Sequence, residues 1–177
     1  RATAGTTVAD TRATKIHKLA GNIYACGAGT SADLQHVALG TKHSVALQVL
    51  AEGTIGNANN NVDMDMDNSD INHTWQQQEQ HVPVERVCRM LQERLYQQGG
   101  SCGANLIVGG VYRGGSSNSN GKSQPVAVLT TIHPHGSMDL HQAYTALGSG
   151  GLAATAVLES RYKADMTLAE AVQLVQD

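Results

Sequence analysis

The sequence predicts an α+β domain in which strands and helices stack in layers around one core. Two kinds of apolar periodicity alternate along the chain. Short runs rich in Val, Leu and Ile are typical of strands, and longer stretches have helical spacing. Strand pairs and helix pairs in this order favour a layered α+β architecture. The 177 residues, 41% of them hydrophobic, suffice for one such domain and are too few for two ordinary ones. We therefore expect a single domain over residues 1–177.

The first predicted elements are a strand followed by a helix. Asn22 to Cys26 is a short strand-like run that ends in Gly27-Ala28-Gly29, where small residues allow the backbone to turn closely past a ligand. Ser31 is a candidate cap for a helix from Ala32 to Ala51, although Gly40 weakens its middle. The apolar residues of this helix, which include helical spacings, are Leu34, Val37, Ala38, Val45, Leu47, Val49 and Leu50.

The second predicted helix has the clearest amphipathic pattern in the chain. Pro83 is suited to open it, the helix runs from Val84 to Gln98, and Gly99-Gly100 stops it. Its apolar residues fall on one stripe, which predicts a face buried against the core. They are Val84, Val87, Cys88, Leu91 and Leu95.

Two strands and two helices follow. Asn105 to Tyr112 and Val126 to His133 are predicted to be neighbouring strands because both are short, rich in branched apolar residues and separated by turn-forming residues. Helices from Gly151 to Tyr162 and from Leu168 to Val175 complete the predicted elements. Two polar interruptions, about 56–80 and 113–124, are predicted to be solvated loops.

No metal or cofactor is expected. Asp63, Asp65 and Asp67 imitate the start of a calcium loop, but Asn68 stands at the sixth position and Thr74 at the twelfth. A calcium loop needs Gly and a bidentate Glu there. The eight histidines do not provide a helical ligand pair with a third ligand, so structural or exposed roles are expected for them.

Charge and composition exclude two classes of partner. The formal net charge is −3 and the chain has no Lys/Arg run, so nucleic acid is not an expected partner. No apolar stretch approaches the roughly 20 residues that cross a bilayer, so no membrane is expected either. Cys26, Cys88 and Cys102 lack metal-type spacing and are expected to be reduced thiols. The chain is thus expected to be soluble and intracellular.

Three stretches of the chain carry a family resemblance. They are Lys15 to Asp33, introduced by Arg1-Ala2-Thr3-Ala4-Gly5; Ile132 to Asp139; and Leu147 to Asp165. Together they resemble the β subunits of the 20S proteasome, and within that family the trypsin-like catalytic type. The resemblance implies the fold of N-terminal nucleophile hydrolases. This is a four-layer αββα sandwich with two antiparallel sheets face to face and helices outside, here incomplete at both termini.

The resemblance also implies catalytic roles. In a threonine-type peptidase the hydroxyl of an N-terminal Thr attacks the peptide carbonyl and its own amine accepts the proton. Lys15 matches the catalytic lysine, a buried ammonium that disfavours protonation of that amine and stabilises the alkoxide. Gly29 matches the residue whose backbone N–H binds the oxyanion, and Ser149 matches a serine near the nucleophile's amine. Arg1 matches an arginine that supports the active-site loop. Because the chain opens with Arg1, the nucleophile is absent and the chain as given is expected to be inactive.

Substrate binding is implied for five further residues. Thr3 matches a residue whose backbone pairs with an extended substrate. Gly27 matches the base of the pocket for the residue before the scissile bond, where glycine leaves space for a long side chain, and Ser31 is implied to lie in the same region. Asp10 matches an acidic residue of the trypsin-like substrate site, but Gln35 stands where that type has another acidic residue.

The resemblance thus implies a threonine endopeptidase subunit of trypsin-like specificity that degrades unfolded polypeptides in the cytoplasm and nucleus. Its partners would be other α and β subunits in stacked heptameric rings. Two alternatives remain open from the sequence. One is a non-catalytic structural β subunit, and the other is a free-standing amide hydrolase of the same fold class.

Overall fold

The computed structural model describes residues 2–4, 7–59, 82–117, 123–140 and 142–176. The strands in these ranges are β1 (Ala2–Ala4), β2 (Thr7–Asp10), β3 (Ile16–Ala20), β4 (Ile23–Gly29), β5 (Ala104–Ser117), β6 (Ser123–Ile132) and β7 (Met138–Asp139). The helices are α1 (Ser31–Asn59), α2 (Val84–Gln97), α3 (Gly151–Arg161) and α4 (Leu168–Gln176).

The strands form two antiparallel sheets. β1 pairs with β2, and the other five form a sheet in the order β3-β4-β5-β6-β7, so that strands consecutive in the chain are neighbours in space. The register of the larger sheet places Gly29, at the end of β4, opposite Ala104, at the start of β5. This pairing brings the residues before α1 against the segment that follows α2.

The core lies between α1, α2 and one face of the five-stranded sheet. Along β5, Leu106 and Val108 are fully buried while Ile107 between them is only partly buried, as expected for a strand with alternate residues on opposite faces. The predicted apolar stripe of α2 is confirmed, because all its residues are buried. The helix predicted from Ala32 is confirmed as α1, in which Leu47 and Leu50 are exposed.

The boundaries of the two predicted polar loops were wrong. α1 continues to Asn59, beyond the predicted loop start at Gly56, and residues 60–81 lie outside the described ranges. The predicted loop over 113–124 is strand wherever the structure describes it, with Arg113 paired with Pro125 and Ser117 with Ser123. Polar residues can continue a hairpin because the hydrogen bonds between the two strands are made by backbone groups and do not depend on the side chains. The composition of that segment therefore did not reveal its structure.

Gly40 does not interrupt α1. A Cβ at this position would overlap the Arg94 guanidinium of α2, so glycine lets that side chain lie across the helix. Arg94 Nη2 then donates a hydrogen bond to Ser44 Oγ at 3.2 Å. Gly40 thus provides a packing site between α1 and α2.

Within the described ranges, none of the helices combines the length and apolarity required to span a membrane.

Leu91→Ala is expected to destabilise the protein by about 2 to 5 kcal/mol, because Leu91 is fully buried between α2 and the sheet and its removal leaves a cavity. The matched control is Leu47→Ala, which truncates a leucine that is 67% exposed on α1 and should change stability by no more than about 0.5 kcal/mol. Chemical denaturation of the full-length protein measures both. Equal effects would contradict the described core.

Candidate active site

One cavity of about 550 Å³ gathers residues from distant parts of the chain. It is bounded by the segment before β3, the end of β4, the start of α1 and the turn before α3. The residues that line it are Ala13, Thr14, Lys15, His17, Gly27, Gly29, Thr30, Ser31, Leu34, Gln35 and Ser149. The set includes every proposed catalytic residue of the sequence analysis and three of its proposed substrate-binding residues.

Lys15 and His17 enter the cavity from the same side. Lys15 directly precedes β3 and His17 is the second residue of that strand, and residues two apart in an extended chain share a face. Sequence reasoning missed His17, although this alternation could have identified it. Lys15 is exposed, whereas the family resemblance implies a buried ammonium.

The backbone at Gly29 is held tightly against residue 103. Gly29 has φ +123°, and a Cβ there would overlap the carbonyl oxygen of Gly103. The same oxygen accepts a hydrogen bond from the Thr30 N–H at 2.9 Å. Asp33, in the first turn of α1, accepts the Gly103 N–H at 2.8 Å through Oδ2. Residue 103 is therefore bonded through both its N–H and its carbonyl to the chain around Gly29.

Sequence reasoning missed the role of Asp33. An acidic residue in the first turn of a helix is ordinarily explained by the favourable field of the helix N-terminus. Here its carboxylate also joins α1 to a residue 70 positions away in the chain. No local pattern predicts that partner.

The start of α1 contributes polar but uncharged groups to the cavity. Gln35 Nε2 donates to Ser31 Oγ at 3.4 Å, which links two residues one helical turn apart. A Cβ at Gly27 would overlap Leu34 Cδ2, so the space that glycine leaves is filled by Leu34 and not left open for a long substrate side chain, as the family resemblance implies. Among the described residues that line the cavity, none is a carboxylate.

Ser149 reaches the cavity from the turn before α3. The N-cap of α3 is Gly150, so Ser149 directly precedes the cap residue. Gly148, with φ +94°, packs against β4, where a Cβ on it would lie 3.3 Å from the Cβ of Ala28. The turn thus lies next to the strand that carries Gly27 and Gly29.

The remaining proposed residues are placed less completely. Thr3 and Asp10 lie in the β1–β2 hairpin, where Thr3 pairs with Val8 and Asp10 pairs with Ala2. Arg1 lies outside the described residues. The proposed contacts of these three residues with substrate or the active-site loop stay predictions.

The cysteines are poor candidates for an alternative nucleophile. Cys26 precedes Gly27 on β4, and burial raises the pKa of its thiol. Burial raises the pKa of Cys88 to about 11, and burial followed by the charge of Asp33 raises that of Cys102. A thiol with a raised pKa stays protonated near neutral pH and is a weak nucleophile. All three are free thiols.

Comparison with known proteins identifies similar chains. The family described as "Proteasome subunit" matches residues 1–62 and 47–177. The chain is 36% identical over 177 residues to "Proteasome subunit beta type-7" of Dictyostelium discoideum, covering 100% of this chain and 52% of that protein. It is 35% identical over 175 residues to "Proteasome subunit beta type-10" of Bos taurus, covering 99% and 50% respectively. It is 34% identical over 177 residues to "Proteasome subunit beta type-2" of Saccharomyces cerevisiae, covering 100% and 53%. The chain spans about half the length of the curated relatives it matches.

Proposed function

Because the chain belongs to the proteasome β-subunit family and has its N-terminal nucleophile hydrolase fold, we propose that it is part of a threonine-type endopeptidase subunit of the 20S core. The observation that supports this most directly is the convergence of Lys15, Gly29 and Ser149 on one cavity. The nucleophile would be an N-terminal threonine supplied by a part of the protein outside this sequence.

The proposed reaction is amide hydrolysis through an acyl-enzyme. The threonine hydroxyl attacks the substrate carbonyl carbon and its proton passes to the threonine amine. That proton is then given to the leaving nitrogen as the peptide C–N bond breaks, which leaves an acyl-threonine ester. Lys15 would stabilise the developing alkoxide with its positive charge, and the N–H of Gly29 would donate to the oxyanion. Ser149 would hydrogen-bond near the amine that takes the proton. Water then releases the acyl group and restores the threonine.

The backbone around Gly29 suits an oxyanion site. A donor contributes to catalysis when it is already fixed where charge develops, because no reorganisation is then needed during the reaction. The bonds of Thr30 and Asp33 to residue 103 hold this part of β4 against β5. That rigidity supports the proposed role of Gly29.

We propose cleavage after basic residues as the specificity, on the basis of the trypsin-like resemblance and of Asp10. The cavity itself supplies little counter-charge, because Gln35 is neutral and the titratable side chains among its described lining residues are Lys15 and His17. The preference for Arg or Lys is therefore expected to be incomplete in this chain.

Gln35→Glu is expected to raise the kcat/KM ratio of Arg-ending over Leu-ending peptide substrates by roughly tenfold or more, because it adds a negative charge to the pocket wall. Gln48→Glu adds the same charge to an exposed position on the same helix, outside the cavity, and is the control. Fluorogenic peptides that differ only in the residue before the scissile bond measure the ratio. An unchanged ratio in Gln35→Glu would remove Gln35 from the proposed pocket.

The partners would be other proteasome α and β subunits in stacked heptameric rings, and the substrates would be unfolded polypeptides in the cytoplasm and nucleus. Intact-mass measurement and N-terminal sequencing of the native protein, with sizing of its assembly, test the proposal. A mature threonine terminus in a large ring particle is the expected result. A ring particle whose mature chain lacks that threonine would favour the non-catalytic structural subunit, and a small active oligomer would favour a free-standing amide hydrolase.

A further inference from the structure

Residues 142–147, here called the strap, follow β7 and lead to the turn before α3. At its start, the Gln142 N–H donates to the carbonyl oxygen of Leu129 on β6 at 2.9 Å. Just beyond its end, Gly148 packs against Ala28 on β4. Because β5 lies between β6 and β4, the strap crosses at least two strand spacings, or about 10 Å.

Thr131 anchors the strap to the sheet. Its side chain is buried, with 2% of the residue exposed, and its hydroxyl donates to Gln142 Oε1 at 2.6 Å. The same hydroxyl oxygen lies 2.9 Å from Thr145 Oγ1. A hydroxyl has one hydrogen, so Thr145 must donate to Thr131 while Thr131 donates to Gln142. Hydrogen bonds that run in sequence in a buried place strengthen one another.

The neighbouring Thr130 shows that this bonding depends on the face of the sheet. Thr130 is also buried, but it pairs with Val108 in the register and lies on the helix side. Its hydroxyl is beside the Cys88 thiol of α2 and makes no hydrogen bond to the strap. Of these two adjacent buried threonines, Thr131 forms hydrogen bonds with the strap and Thr130 does not.

The turn that carries Ser149 has few fixed points of its own. Glycines flank Ser149 on both sides, and a Cβ on Gly150 would meet no atom within 4 Å. The Gly151 N–H bonds back to the Gly148 carbonyl at 3.0 Å, which closes the turn but does not attach it to the sheet. Attachment comes from the contact of Gly148 with β4 and from the strap.

We propose that Thr131 is a positioning residue that holds the strap across the sheet so that Ser149 stands in the active-site cavity. The proposal rests on the proposed function, in which Ser149 bonds near the amine that accepts the nucleophile's proton. Loss of the Thr131 hydroxyl frees the strap, displaces Ser149 and weakens proton transfer, while substrate binding through other walls of the cavity continues.

The test compares Thr131→Val, Thr131→Ser and Thr130→Val in the full-length protein within its native assembly. Thr131→Val is expected to lower kcat on the order of tenfold with KM changed by less than about twofold, and to shift the pH profile of kcat/KM. Thr131→Ser keeps the hydroxyl and is expected to restore both. Thr130→Val makes the same change on the helix side and should match wild type in kcat, KM and pH profile.

A second variant and a second readout keep the proposal testable if Thr131→Val fails to assemble. Thr145→Val removes one strap hydrogen bond without touching the sheet, and should lower kcat in the same direction. Amide hydrogen exchange over 142–149 should accelerate in Thr131→Val or Thr145→Val and not in Thr130→Val. Faster exchange without any loss of kcat would overturn the positioning role while leaving the proposed function intact. A wild-type particle with a threonine terminus but no hydrolysis at this subunit would overturn both.

Discussion

Lys15→Ala is expected to lower kcat for peptide hydrolysis by roughly 10² to 10⁴-fold while leaving the protein folded and assembled. Lys15 is the lysine of the cavity that also contains Gly29 and Ser149, so its charge lies where the proposed alkoxide would form. The side chain is exposed in the described part of the chain, and truncation of an exposed residue rarely costs more than about 0.5 kcal/mol of stability. Lys15→Ala should therefore lower kcat without lowering the amount of folded and assembled protein.

Lys18→Ala is the matched control, because Lys18 is an exposed lysine on β3 that pairs with Tyr24 and does not line the cavity. Steady-state hydrolysis of Arg-ending peptides by the native assembly measures both variants. Lys15→Arg is also expected to be impaired, since a planar guanidinium does not replace a compact ammonium. Turnover at the wild-type rate in Lys15→Ala, or an equal loss in Lys18→Ala, would remove Lys15 from the catalytic role.

The elements that the sequence predicted well are those determined by local spacing. The buried stripe of α2 follows from residues three and four apart, and its stop follows from Gly99 and Gly100, both of which have positive φ. The site residues were identified through the family resemblance and not through local spacing. Those that line the cavity are Lys15, Gly27, Gly29, Ser31, Gln35 and Ser149.

The parts that could not be predicted depend on pairing between distant segments. Asp33 and Gly103 meet because the register places Gly29 opposite Ala104, and nothing near Asp33 in the sequence specifies that register. The same is true of Thr131, whose partners on the strap are defined by which face of β6 it occupies. A one-residue shift of β6 would place Thr130 there instead.

Gly29→Ala is expected to combine backbone strain with steric overlap, and to lower both stability and kcat. At φ +123° an L-residue is strained by about 1 to 3 kcal/mol, and the new Cβ would also overlap the Gly103 carbonyl oxygen. Relief of that overlap must move β4 away from residue 103 and disturb the hydrogen bond from Thr30. Because the Gly29 N–H is the proposed oxyanion donor, kcat is expected to fall by roughly 10² to 10³-fold.

Gly99→Ala isolates the backbone strain from the overlap. Gly99 also has positive φ, at +59°, but a Cβ there meets nothing within 4 Å, and it lies at the end of α2 outside the cavity. Gly99→Ala should lose some stability and keep its kcat. Gly29→Ala should lose more stability than Gly99→Ala and should also lose kcat. Denaturation and steady-state kinetics on the full-length variants measure the two effects. If Gly29→Ala kept the wild-type kcat despite a loss of stability, the close contact with residue 103 would be structural and the oxyanion donor would have to be sought elsewhere in the cavity.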